Sequence, residues 1–211
     1  PSYADLPAEL VEGTFSFNEL VQYRRVCQLH EFLDKNGPNF AAYQQLAITY
    51  GHLGILTEHY WADMSVAFKA RAVLYALRGT VASSDRPTLA EAEFSARFMG
   101  VQTPQQEYAQ ATMSLAYVQI LCGRHDWATQ TLRLLRKKIA DKTWEQSFDD
   151  AYLDLVDAVC RYDLPALKNM ATEAPEAWRP VAAFHELMLI ESVAQYEELN
   201  ECYLRFQSII D

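Results

Sequence analysis

Glycine is scarce in this chain, with 7 in 211 residues. Tight turns and phosphate-cradling loops draw on glycine's access to positive φ, and no P-loop, G-x-G-x-x-G or G-x-S-x-G occurs. Cysteine is also sparse. Cys27, Cys122, Cys160 and Cys202 are far apart and form no C-x-x-C, which argues against a zinc ribbon or a redox pair. They read as four reduced thiols in a cytoplasmic protein. Long apolar runs are missing too. Ala109–Cys122 and Val181–Tyr196 come nearest, and both are interrupted by polar residues, so no membrane insertion is expected. The first 13 residues carry Asp5, Glu9 and Glu12 and no base, the wrong charge for a secretory leader. No stretch alternates with period two long enough to predict a strand.

Helix-forming composition takes the place of what is missing. Half the residues are hydrophobic, and Leu20, Tyr23, Val26, Cys27 and His30 follow helical spacing, as do Leu132, Leu135 and Ile139. Start and stop signals then divide the chain. Ser16-Phe-Asn-Glu19 reads as a capping box for a helix ending at Asn36-Gly37-Pro38. Asn39 caps a second helix, ended by Gly54, and Thr57 caps a third, ended by Gly79. Thr88-Leu-Ala-Glu91 opens a short helix stopped by Gly100. Thr103-Pro104-Gln-Gln106 opens one that ends at Gly123, and Asp126 caps its successor to Ala140. Ser147-Phe-Asp-Asp150 and Asp163-Leu-Pro165 open two more. Val181 to Ile210 is too long for one ordinary helix and should break near Ser192–Gln195. The expected fold is all-α, about nine or ten helices in stacked antiparallel hairpins. It forms one helical-repeat domain over 1–211, with 1–15 irregular.

Charge is uneven. Residues 1–142 hold 14 acids and 14 bases, whereas 143–211 hold 14 acids and 4 bases. An acidic end repels nucleic acid and attracts basic partners. Asp150, Asp154 and Asp157, at i, i+4 and i+7, form an acidic stripe that a basic surface could meet. The alternative is a merely solvated face. Arg133, Arg136, Lys137, Lys138 and Lys142 form the main basic cluster, which suits a helix C-terminus. It is too narrow, in a chain of net charge −10, to predict nucleic-acid binding.

Candidate chemistry is thin. His30-Glu31-Phe-Leu-Asp34 and His185-Glu186-Leu-Met-Leu189 begin like the zinc helix H-E-x-x-H, but both lack the second histidine, so no metal is expected. No nucleophile signature pairs a cysteine with a histidine. The sequence predicts no catalytic residue and no cofactor.

A repeat search is more productive. Tyr43-x-x-Leu46-Ala47-x-x-Tyr50-x-x-x-Gly54 aligns with Leu115-Ala116-x-x-Gln119-x-x-x-Gly123-x-x-x-x-Ala128-x-x-x-Leu132. Gly54 and Gly123 lie 69 residues apart, close to two tetratricopeptide periods of about 34. The pattern resembles the tetratricopeptide family, in which a leucine and a small residue pack the paired helices and a glycine turns them. Departures exist: His59 stands where Ala128 closes the second copy, and Leu89–Met99 has no partner helix. The stretch Leu121-Cys-Gly-Arg-His-Asp-Trp-Ala128 also resembles the turn of small bacterial chaperones of type III secretion.

The resemblance implies an α-solenoid whose first helices line a groove. Gln44, Ile48, His52, Met113, Tyr117 and Ile120 would then line it, and a groove this apolar suits an amphipathic helix or apolar segment. The same residues could instead be core. The expected function is a non-catalytic scaffold, chaperone or adaptor that holds another protein. The alternative is a helical enzyme whose site is assembled from residues distant in sequence.

Overall fold

A computed structural model of the protein describes residues 6–84, 104–192 and 196–210. Those residues form ten α-helices and no strand. The predicted box at Thr88 and helix Leu89–Met99 lie outside the described residues. The chain divides into two compact units, Pro1–Ser147 and Phe148–Asp211. The charge asymmetry follows that division closely, since Phe148–Asp211 holds 13 acids and 4 bases.

The first unit contains α1 (Ala8–Val11), α2 (Glu19–Asn36), α3 (Phe40–Leu56), α4 (Ala62–Ser84), α5 (Pro104–Leu121) and α6 (His125–Ala140). They pack as helical hairpins: α2 on α3, α3 on α4, α5 on both α4 and α3, and α6 on α5. Helix α3 is buried on nearly every side, including Leu46, Ala47, Tyr50 and Leu53. The second unit packs α7 (Asp150–Cys160), α8 (Leu164–Glu173), α9 (Arg179–Ser192) and α10 (Tyr196–Ile210) around Leu155, Val156, Leu167, Val181 and Ala182. Helix α9 ends at Ser192 and α10 begins at Tyr196; the predicted break falls on residues 193–195, which lie outside the described residues.

Local chemistry explains most boundaries. Asn39 accepts the Ala42 amide at 3.0 Å, and Asp163 accepts the Ala166 amide at 3.1 Å, both as expected. Other signals act differently. Asn18, not Ser16, caps α2, because its Oδ1 accepts the Leu20 and Val21 amides. Ser16 Oγ instead accepts the Asn18 amide. Helix α6 opens after Arg124, so Asp126 sits inside its first turn rather than at the cap. Asp149 caps α7, accepting the Ala151 amide at 2.9 Å. Thr57 ends α3: its hydroxyl donates to the Leu53 carbonyl at 2.7 Å, and α4 starts five residues later at Ala62.

The glycines divide into turns and close approaches. Gly123 follows α5 at φ +71, as the repeat alignment expects. Gly54 does not end its helix. It lies within α3, where an added Cβ would stand 2.6 Å from Lys69 Cγ and 3.4 Å from the Ser65 carbonyl oxygen of α4. Ser65 Oγ donates to the Gly54 carbonyl at 2.6 Å, fixing this crossing. Three residues earlier, a Cβ on Gly51 would meet Leu121 Cδ1 at 2.6 Å. The missing side chains thus let α4 and α5 approach α3 closely. Gly79 likewise lies inside α4 rather than after it.

Candidate functional site

Helices α3 and α5 bring the six predicted groove residues into one unit, and all six are buried. None faces open solvent, which is the core alternative rather than an empty groove. His52 joins the helices directly, with Nε2 3.0 Å from Tyr117 Oη. Burial pushes the His52 imidazole down to about 3, aided by the charge of Arg25 and partly countered by the Thr14 backbone. His52 is therefore neutral at ordinary pH.

The chain's own N-terminal segment covers part of this face. The Phe15 ring meets His52 and Tyr117 edge-on, at centroid distances of 6.0 and 5.6 Å. The Phe17 ring lies 5.4 Å from His52. Helix α2 holds the segment's backbone. Gln22 Nε2 donates toward the carbonyls of Gly13, Thr14 and Ser16 at 3.4, 3.3 and 2.5 Å. Arg25 Nη1 donates to the Glu12 carbonyl at 2.5 Å, and Nη2 to Thr14 Oγ1 and Gln45 Oε1 at 3.1 and 2.9 Å. Arg25 is only 3% exposed, and burial lowers its guanidinium to about 10. Among the described residues no carboxylate lies within ion-pair distance of it. Its charge is spread over neutral acceptors instead.

The acidic stripe lies on α7 in the second unit. Asp150 and Asp154 are exposed, whereas Asp157 is half-buried and pairs with Arg161 at 2.8 Å. The stripe therefore has two exposed carboxylates and one that Arg161 partly neutralises. Beside it, Trp178 Nε1 donates to Asp149 Oδ2 at 3.0 Å, and the Trp178 ring stacks on Tyr152.

Two clusters escaped the sequence reading. In the first unit, Tyr50 of α3 stacks on Tyr75 of α4 at 5.6 Å and 7°. Its hydroxyl lies 3.0 Å from His30 Nε2 and accepts from Arg71 Nη1 at 3.3 Å. Arg71 and Arg78 lie over the Tyr50 and Tyr75 rings at 5.6 and 5.3 Å. Burial lowers His30; Asp34 opposes that, and Arg71 and Arg78 add smaller downward effects. His30 and Tyr50 drew attention in the sequence, but each for a different reason, the one as half of a zinc-like pair and the other as a repeat position. In the second unit Glu186 is 3% exposed and forms a two-oxygen ion pair with Arg205 Nη1, at 2.7 and 2.5 Å. The zinc-like His185-Glu186 pair is thus half of an α9–α10 clamp. Burial, with Glu186 nearby, raises the Cys202 thiol to about 11.

Among the described residues, no group of three or more His, Cys, Asp or Glu is placed to hold a metal ion. No described helix is long and apolar enough to cross a membrane. The chain matches no known family, no characterised protein and no solved structure.

Proposed function

We propose that the chain is a non-catalytic helical scaffold of tetratricopeptide type, an adaptor or chaperone that holds a segment of a partner protein on the α3–α5 face. One observation carries this reading: Glu12–Phe17 already lies there. Its carbonyls are held by Gln22 and Arg25, and its two phenylalanines rest on His52 and Tyr117. Carbonyl capture is indifferent to side-chain identity, while the alternate rings give preference for Phe-x-Phe. A partner segment with that pattern could make the same contacts once the chain's own segment is displaced. The free thiols suit a reducing, cytoplasmic setting. The acidic second unit suits a basic surface on the same partner.

The test uses the full chain carrying Phe15→Ala and Phe17→Ala, titrated with a fluorescent peptide of the sequence Glu12–Glu19. The doubly substituted chain should bind the peptide, the unaltered chain at least tenfold more weakly, and a further Tyr117→Ala should abolish binding. A folded double variant that ignores the peptide sinks the reading. A second reading, an enzyme assembled from distant residues, is favoured by one cluster, His30, Tyr50, Arg71 and Tyr75 from three helices. It requires that a small anionic ligand shift the His30 imidazole resonances.

A further inference from the structure

Helix α4 presents an unusual outward face. Its buried face, Ser65, Phe68, Ala72, Tyr75, Ala76 and Gly79, packs inward. At 100° per residue, Val66, Leu77, Ala70, Leu74 and Ala67 occupy the opposite sector, about 100° wide. All five are exposed, Val66 at 69% and Leu74 and Leu77 at 47% each. A stripe this wide normally faces a core, and this one runs about 16 Å along the helix. Arg71 and Arg78 form one edge of it. They are seven residues apart, about 10.5 Å along the axis, and neither has a carboxylate within ion-pair distance among the described residues. Each guanidinium is held over a tyrosine ring, which limits the rotamer freedom lost when it takes a partner.

We infer that this face docks an amphipathic helix of a partner protein, with apolar residues on one stripe and two carboxylates spaced i, i+7 along its edge. The apolar stripe supplies non-directional burial. The two arginines fix orientation and register, since carboxylates one heptad apart meet them only when the two helices run nearly parallel or antiparallel. The charge pattern favours this occupant over an anionic membrane, which is captured by many bases together. The inference takes the chain as a partner-binding scaffold, but it uses a face separate from α3–α5, so either site can fail alone.

The test titrates the full chain with two labelled helical peptides of about 21 residues. Both have leucines at heptad positions, and they differ only in carrying Glu or Lys at the two i, i+7 edge positions. The Glu peptide should bind at least tenfold more tightly than the Lys peptide. Leu74→Glu should weaken it tenfold or more, and Arg71→Glu with Arg78→Glu should reverse the preference. Circular dichroism and melting verify that each variant is folded, and the charge-swap gain on the Lys peptide cannot arise from misfolding. Equal binding of both peptides, or no binding, overturns the inference. So does a concentration-dependent dimer that Leu74→Glu dissociates, which would make a second copy the occupant. Binding to phosphatidylserine vesicles with the same Leu74 dependence would also overturn it.

Discussion

Acidification should destabilise the first unit through His52 before the carboxylates titrate. The imidazole is buried and neutral, at about 3 in the fold against an ordinary value of 6.5. A depressed folded value means that the unfolded chain takes up the proton first. The associated stability is intact above pH 6.5 and is lost as pH falls from there toward 3. Each pH unit inside that window costs about 1.4 kcal/mol, so moving from pH 7 to pH 5 should remove about 2 kcal/mol. His30 and His125 are also lowered by burial and act in the same direction. Urea unfolding, followed by helical ellipticity at half-unit pH steps, measures this slope. His52→Gln is the comparison, since an amide can occupy the site without titrating. The substituted chain should be less stable at pH 7, having lost the contact to Tyr117, but should decline less between pH 6.5 and 5. Equal slopes for the two chains would refute the reasoning, because the protonation would then not be coupled to folding at this site.

Four further outcomes follow, three from the packing and one from the charge of the second unit. Gly51→Ala should destabilise by about 1 kcal/mol net, since relieving the clash with Leu121 costs more than the helix propensity gained. Gly79→Ala, whose new Cβ among the described residues meets Gln44 Cγ at an ordinary 3.9 Å, should stabilise by about 0.5 to 1 kcal/mol. Paired thermal melts decide both signs. Glu186→Ala should cost about 3 to 5 kcal/mol by leaving Arg205 unpaired in a largely buried site. Changing both residues to apolar ones should recover most of that loss in denaturant titrations. Converting Asp150, Asp154 and Asp157 together to Asn should slow association with a basic partner in stopped-flow while leaving dissociation nearly unchanged, and association by the unaltered chain should slow as salt rises.

Helix existence was legible because caps and periodicity are local. Asn39 and Asp163 are followed by amides three residues on that have no other acceptor in the first turn, and both cap as read. The misreadings have equally local causes. Ser16-x-x-Glu19 matched a capping box, but Asn18 stands next to the helix and its carboxamide reaches two amides. Thr57 looked like a cap because a short polar residue followed an apolar run. Its hydroxyl instead binds back to Leu53, a use that the sequence does not separate from capping. Gly54 and Gly79 show the limit of glycine as punctuation. One lies where a neighbouring helix crosses closely and the other inside a helix, whereas Gly37 and Gly123 do sit past helix ends at positive φ.

The candidate site was harder to read, for a reason specific to this chain. Gln44, Ile48 and His52 share one side of α3, and Met113, Tyr117 and Ile120 one side of α5, so their placement together follows from helical spacing. Whether that side is open depends on what else reaches it, and spacing within a helix carries no such information. The covering segment, Glu12–Phe17, has no periodicity: its residues up to 15 read as irregular, and Ser16 and Phe17 as part of a capping box. Its contacts depend on backbone carbonyls, which leave no mark in the sequence. The usable signal lay in α2, where Gln22 and Arg25 sit one turn apart on its buried side. Polar side chains on a helix's inward face must find partners, and among the described residues no acid pairs with Arg25. Neutral acceptors come instead from the turns just before α2, the Glu12 carbonyl and Thr14 Oγ1, and from Gln45 Oε1 of α3. A buried arginine with no acid of its own among the described residues thus points to a neighbouring stretch of backbone folded over it, and here that stretch is Glu12–Phe17.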